Sequence, residues 1–221
     1  MTATSLILVA GGKGLRMGSA VPKQFLPLAG KPVLYYPVKK FIEVFPDIKI
    51  VLVLPLEHLS YGNILLQAFE NPIDLTIVAG GETRFHSVQN GLHATENDGV
   101  IFIHDAVRPL ISNELITNCY NQAIAMGSAI PTIAVTDSIR QWDGQKYVAI
   151  NRDHLRTIQT PQTFRSNIIH QAFQQDYDER FTDEATVVEM SGKEVHLIEG
   201  LKENIKITTP EDLIIAETWI Q

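Results

Sequence analysis

Apolar positions along this chain fall into short continuous runs separated by stretches in which they recur every three or four residues. Ser5 to Ala10 and Ile48 to Leu54 lack polar alternation and are bounded by glycines or prolines, the pattern of strands buried on both faces of a sheet. Leu75 to Ala79, Gly99 to His104 and Ser128 to Val135 repeat that pattern. Between these runs the spacing is helical. A segment ending near Phe45 carries Val38, Phe41 and Ile42, and Glu57 to Phe69 has helix-forming composition. Thr83 to Ala94 turns Val88 and Leu92 inward, and Asn113 to Met126 presents Leu115, Ile116, Cys119, Ala123 and Ile124 ahead of a capping Gly127. Pro37 is expected to kink or delay the first helix. Strands alternating with helices predict an α/β, Rossmann-like fold: a mostly parallel sheet with helices on both faces, whose ligands lie at the carboxyl ends of the strands.

The rhythm breaks between about 136 and 156. Asp137 to Arg140, the turn Trp142-Asp143-Gly144 and Tyr147 to Asn151 predict a β-hairpin with too little apolar content for a core of its own. It reads as a projecting arm, expected to pack on a second subunit or to cap a site. Beyond it the pattern predicts a helix over about 166–174, a strand at Val195 to Glu199, the segment Asn204 to Ile207, and a terminal helix from Pro210. Thr209, Pro210, Glu211 and Asp212 supply its capping hydroxyl, its first-turn proline and its first-turn acids. Residues 1–221 are expected to form one domain with the arm appended.

Composition narrows the function classes. A formal charge of -7 leaves no sustained basic surface for a nucleic-acid partner. The lone cysteine, Cys119, excludes an internal disulfide framework or a cysteine-based zinc site. No apolar run approaches the roughly 20 residues of a membrane helix, and the first residues lack the pattern of a signal peptide, so a cytoplasmic location is expected.

Polar chemistry gathers at three predicted strand ends. The first run delivers the chain into Gly11, Gly12, Lys13 and Gly14, then Arg16, then Pro22-Lys23-Gln24. Glycines let backbone N–H groups converge on an anion, and Arg16 and Lys23 add positive charge. A P-loop would need Ser or Thr after Gly12-Lys13, where Gly14 stands, and a dinucleotide fingerprint would need a glycine where Met17 stands. What remains is a polyphosphate loop of another kind or a tight turn carrying two surface cations. The other strand ends carry Gly80-Gly81 and Asp105 to Pro109.

Ala10-Gly11-Gly12-Lys13-Gly14-Leu15-Arg16-Met17 with Pro22-Lys23-Gln24 resembles the signature of the sugar-phosphate nucleotidyltransferases, in its cytidylyltransferase branch. Gly80-Gly81-Glu82-Thr83-Arg84 with Ser87-Val88, His104-Asp105-Ala106-Val107-Arg108-Pro109, Thr160-Pro161-Gln162, Thr182-Asp183-Glu184-Ala185 and Asn204 to Thr208 match in order and span nearly the whole chain. The resemblance implies transfer of a cytidylyl group from CTP to a sugar-alcohol phosphate, with Mg²⁺ as the divalent cofactor and a homodimer that exchanges arms. Arg84-Phe85-His86-Ser87-Val88 and Thr182 to Ala185 favour 2-C-methyl-D-erythritol 4-phosphate as the acceptor. Ribitol 5-phosphate is the alternative, and a non-catalytic nucleotide-binding regulatory domain a remote one.

The same resemblance implies roles for single residues. Arg16 and Lys23 would be catalytic, stabilising charge on the α-phosphate. Ala10, Gly11, Gly12, Gly14, Gly81, Glu82, Ser87 and Asp105 would bind CTP, and Asp105 would also hold the metal. Position 82 departs from the aspartate more common there, so its backbone is the surer contact, and His86 is expected at the surface. Arg108, Ser138, Arg152, Thr160 and Lys206 would serve the alcohol phosphate, Arg152 in the neighbour's site. Ser138 stands where threonine is common and keeps the hydroxyl.

Overall fold

A computed structural model describes residues 2–11 and 21–220. Chain order begins with β1 (Thr4–Val9), the short antiparallel pair β2 (Pro27–Leu28) and β3 (Lys31–Pro32), α1 (Tyr35–Val44), β4 (Lys49–Leu54), α2 (Gly62–Ala68), β5 (Leu75–Ala79) and α3 (Arg84–His93). It continues with β6 (Val100–Asp105), α4 (Asn113–Met126), β7 (Ser128–Ala134), β8 (Ile139–Trp142), β9 (Tyr147–Ile150), β10 (Arg156–Ile158) and β11 (Gln162–Arg165). Last come α5 (Ser166–Ala172), α6 (Glu184–Met190), β12 (Leu197–Glu199) and α7 (Pro210–Ile220).

The central sheet runs β10-β7-β11-β6-β1-β4-β5, with β12 alongside β7. β5, β4, β1 and β6 are mutually parallel, because helical crossovers join them. β1 and β4 bury nearly every side chain, as continuous apolar runs require when both faces are covered. One face packs α1, α2 and α4 through Phe41, Leu65 and Ile116, and the other packs α3, α5 and α6 through Val88, Ile169 and Val188. A smaller cluster of Leu28, Val33, Val107, Ile207 and Ala216 fastens α7 to the segment that follows the glycine loop. Cys119 is buried within the first cluster. The arm is a separate two-stranded sheet of β8 and β9, closed by a turn in which Asp143 N–H donates to the Lys146 carbonyl and Gly144 has φ +101°.

Several expectations are corrected. Pro37 neither kinks nor delays α1, since it lies in the first turn, where an amide hydrogen would have no intrahelical acceptor. Glu57 to Phe69 divides into a 3-10 turn over Leu56–Tyr61 and the shorter α2. Gly62 opens α2 where the Ile77 side chain presses so closely that a Cβ would lie 2.3 Å from it. The expected strand at 195–199 shortens to β12, and the segment Asn204 to Ile207 is a loop. β11 has no counterpart in the pattern analysis. It inserts antiparallel between β6 and β7, with Gln162 and Thr163 buried. Gln162 tolerates burial because its amide donates to Asp183 (2.9 Å) and its carbonyl accepts Ala185 N–H (2.7 Å).

Candidate active site

Chain order moves from β1 outward to β4 and β5, then returns to place β6 on the other side of β1. That reversal opens a crevice at the carboxyl ends of β1 and β6, where ligands bind in open parallel sheets. Val9 and Asp105 are register partners there. A cleft of about 260 Å³ opens beside them, and Gly11, Lys23, Gly81, Ser87, Asp105 and Lys206 contribute to its walls.

One side of the cleft is built largely from backbone. Ala10 donates its N–H to the Val53 carbonyl (2.9 Å) and accepts the side-chain amide of buried Gln24 (2.9 Å), so the strand exit is held from both sides. Ser87 accepts Gly81 N–H at 3.1 Å and donates to the Thr83 carbonyl at 2.9 Å, closing the Gly80-Gly81 corner onto the start of α3. Thr83 caps α3, its hydroxyl accepting His86 N–H. A Cβ on Gly80 would sit 2.9 Å from Ser87 Oγ, and one on Gly81 2.4 Å from His86 Cβ, so only glycine fits this corner. Glu82 is exposed at the cleft mouth, and His86 is partly buried against the Tyr177 and Phe85 rings.

Asp105 is the electrostatic centre. Its carboxylate is 4% exposed and meets three cations: Arg84 Nη1 on Oδ1 at 2.8 Å, and Arg108 Nε at 3.3 Å and Lys206 Nζ at 3.0 Å on Oδ2. Burial alone would push this carboxyl up, but Arg84, Lys206 and Arg108 together outweigh it and hold Asp105 far below the usual carboxylate range. Arg108 also donates to the Asn204 carbonyl at 2.7 Å. Arg84 makes two further bonds, Nε to Glu184 Oε1 (2.9 Å) and Nη2 to Oε2 (3.0 Å), a fork-on-fork pairing across the cluster.

Hydrogen bonds behind Asp105 fix its position. Its N–H donates to Thr160 Oγ1 at 3.0 Å, and Thr160 Oγ1 lies 3.0 Å from His104 Nδ1. His104 Nε2 lies 3.2 Å from the Arg108 carbonyl, which only accepts. Nε2 therefore carries the proton, Nδ1 accepts from the threonine hydroxyl, and the ring is neutral. Burial lowers the His104 pKa from 6.5 to about 4. Below 6.5 the unfolded chain takes up a proton that the native ring refuses until about 4, so native stability is lost as pH falls through that window. The loss is on the order of 3 kcal/mol. Urea unfolding at pH 7 and 4.5 in metal-free buffer is expected to show it, and His104→Gln to remove most of it. An undiminished slope in the variant would assign the effect to other groups.

The structure brings together Ala10, Gly11, Lys23, Gly81, Glu82, Ser87, Asp105, Arg108, Thr160 and Lys206 at this one end of the sheet. Lys23 Nζ donates to the Ile207 carbonyl at 2.9 Å, linking the glycine-loop side to the Lys206 segment. Ser138 and Arg152 lie on the arm instead, lining a groove between β8 and β9, with Arg152 Nη1 bonded to the Thr136 carbonyl. Gly12, Gly14 and Arg16 lie outside the described residues.

Four contributors escaped the pattern analysis as site residues. Arg84 and Glu184 sit inside the Gly80–Arg84 and Thr182–Ala185 motifs, where the resemblance gives them no role. Asn204 and Gln159 tie the 201–207 loop to Thr160, Asn204 Nδ2 donating to the Thr160 carbonyl (2.8 Å) and Gln159 exchanging two bonds with the Leu201 backbone. Their signal is polar character at buried positions, which sequence alone does not report.

Magnesium is held by one or two carboxylates completed with water and phosphate oxygens. Asp105 fits that pattern, being ionised and accepting a single described hydrogen bond at Oδ1. Among the described residues no group of three His, Cys, Asp or Glu side chains could hold a metal by itself, so phosphate oxygens would complete the shell.

The family model described as IspD, 2-C-methyl-D-erythritol 4-phosphate cytidylyltransferase, matches residues 4–221. A protein of Bacteroides fragilis named 2-C-methyl-D-erythritol 4-phosphate cytidylyltransferase is 45% identical over 220 residues, covering 100% of both chains. One of Phocaeicola vulgatus with the same name is 44% identical, covering 97% of this chain and 98% of its own. The solved 4-diphosphocytidyl-2C-methyl-D-erythritol synthase of Anaerococcus prevotii superposes with a TM-score of 0.83 at 28% identity, covering 99% of this chain and 96% of its own. The Francisella tularensis 2-C-methyl-D-erythritol 4-phosphate cytidylyltransferase gives 0.81 at 32%, covering 99% and 100%. With the family model spanning residues 4–221, relatives 44–45% identical across the chain and the fold superposing on solved members, the chain belongs to the 2-C-methyl-D-erythritol 4-phosphate cytidylyltransferase family.

Proposed function

We propose that this chain joins CTP and 2-C-methyl-D-erythritol 4-phosphate to give 4-diphosphocytidyl-2-C-methyl-D-erythritol and pyrophosphate, a step of non-mevalonate isoprenoid synthesis. An oxygen of the phosphomonoester attacks the α-phosphorus of CTP; the new P–O bond forms as the bond to the β-phosphate oxygen breaks, and the electron pair leaves with pyrophosphate. The nucleophile is already anionic near neutral pH, because a phosphomonoester's second pKa is about 6, so no strong general base is needed. What the protein must supply is alignment of two anions and cations around the α-phosphate.

The observation that carries this reading is the set of three cations converging on Asp105 beside a glycine-walled cleft at the strand ends. Gly11 and Gly81 let backbone approach the nucleotide, and the bond from Gly81 N–H to Ser87 Oγ fixes the corner against which the cytosine would lie. The Lys23 ammonium, bonded to the Ile207 carbonyl, forms part of the cleft wall and brings positive charge to the phosphate oxygens. Arg16 shares that task on this reading. Bound Mg²⁺, held by Asp105 and phosphate oxygens, would neutralise charge on the triphosphate. Arg108 and Lys206 receive the alcohol phosphate, and Thr160 acts by positioning Asp105.

Ser138 and Arg152 complete the site of a second copy in a homodimer, which explains why they sit on a hairpin whose Trp142 and Tyr147 are exposed and in tilted ring contact with each other. Residues 1–221 act as one domain, with no nucleic-acid or membrane partner, in the cytoplasm; among the described residues no helix is long and apolar enough to cross a membrane.

Steady-state turnover of CTP with Mg²⁺ and either alcohol phosphate tests the assignment. Preference for 2-C-methyl-D-erythritol 4-phosphate over ribitol 5-phosphate by at least about 100-fold in kcat/KM is expected, since losing hydrogen bonds in a fitted polar site costs several kcal/mol. A preference for ribitol 5-phosphate would overturn it.

A further inference from the structure

Three cations meet Asp105, yet only one is positioned to leave. Arg108 is 11% exposed and anchored by the Asn204 carbonyl, and Arg84 is anchored by both oxygens of Glu184, itself 1% exposed. Lys206 is 44% exposed, and Asp105 is its sole ion-pair partner among the described residues. Lys206 and Arg108 share Oδ2, whereas Arg84 alone holds Oδ1 and makes the shortest of the three contacts.

We propose that Arg84, locked in place by Glu184, is a positioning residue that keeps Asp105 satisfied so that Lys206 is free to exchange from Asp105 to the phosphate of the alcohol substrate. When Lys206 departs, two carboxylates remain opposite two guanidiniums, and Asp105 keeps a partner on each oxygen. Without Arg84, the departure would leave Asp105 no protein cation on Oδ1 and a single 3.3 Å contact on Oδ2, a costly arrangement for a nearly buried carboxylate. Asp105 would then retain Lys206 in competition with the substrate. Glu184 is needed because an unanchored guanidinium has many rotamers, and two fixed bonds leave Nη1 aimed at Oδ1.

This inference rests on the reading that Lys206 receives the alcohol phosphate, and the variants separate the two. Arg84→Gln with Glu184→Gln removes the clamp without stranding a buried charge. It is expected to raise KM for 2-C-methyl-D-erythritol 4-phosphate about tenfold while KM for CTP stays within about twofold. A purely structural role would change melting temperature or the active fraction and leave KM untouched. Lys206→Met in the parent should also raise that KM. The triple variant should match Lys206→Met alone, because the clamp acts only through Lys206. Should the double variant fold poorly, Arg84→Lys keeps every charge but reaches one carboxylate at a time, and a smaller rise of about threefold in the same KM is expected.

A wild-type KM for the alcohol phosphate in folded Arg84 variants, with Lys206→Met impaired, would overturn the clamp and leave the Lys206 reading standing. A wild-type KM in Lys206→Met would overturn both. A raised KM for CTP instead would make Arg84 a nucleotide ligand and equally refute the proposal.

Discussion

Replacing Lys23 with alanine is expected to lower kcat for pyrophosphate release by about 10²–10³-fold, the usual consequence of removing one preorganised donor from a developing anion. Lys23 lines the same cleft as Asp105, and the bond from its ammonium to the Ile207 carbonyl holds the charge in place. A group aimed in advance loses little on reaching the transition state, which is why its removal should appear mainly in kcat. The same bond joins the glycine-loop side to the segment that carries Lys206, so a modest rise in KM for the alcohol phosphate is expected alongside. Lys23→Arg keeps the charge but replaces a compact ammonium with a planar fork and should recover only part of the rate. A kcat within threefold of wild type in Lys23→Ala would contradict the assigned role.

Asp105→Asn is the second large effect. The substitution preserves shape, but it removes the one anion that Arg84, Arg108 and Lys206 share and turns a donor toward cations that only donate. Loss of one partner from a buried charge cluster costs about 3–5 kcal/mol, so the melting temperature should fall by several degrees. Activity per folded molecule should fall by at least about 10²-fold, and the Mg²⁺ concentration for half-maximal rate should rise. Raising Mg²⁺ should recover little, because the missing carboxylate also orients the two arginines. A folded Asp105→Asn enzyme with near wild-type turnover and Mg²⁺ dependence would remove Asp105 from the centre of the site.

The legible parts of the fold are those specified by local patterns. Ile48 to Leu54 reads as a doubly buried strand because nothing in it alternates, and it is one. α4 ends where expected, Gly127 closing it at φ +94°, and the structure adds Ser112 as the cap that accepts Leu115 N–H at its start. The hairpin announces itself through Asp143-Gly144. β11 was illegible for the opposite reason: it buries the polar Gln162 and Thr163, and the satisfaction of Gln162 depends on Asp183 and Ala185, about twenty positions away. The loop over 201–207 likewise takes its shape from bonds to Gln159, Thr160 and Val107, all distant in the chain.

The site divides along the same line. Glycine pairs at strand ends and the acid closing β6 stand out because chemistry and position coincide in a short stretch. Arg84 and Glu184 are separated by 100 residues and signal nothing locally. Only folding shows that they form one unit with Asp105.

The central claim is that the acceptor's phosphate oxygen attacks the α-phosphorus while the bond to the β-phosphate breaks. ³¹P NMR of the reaction between CTP and 2-C-methyl-D-erythritol 4-phosphate carrying ¹⁸O in its non-bridging oxygens follows both events at once. The account predicts a diphosphate diester with ¹⁸O in the bridge and unlabelled pyrophosphate in equal amount. Label in the pyrophosphate, or CMP formed with no diester, would contradict it.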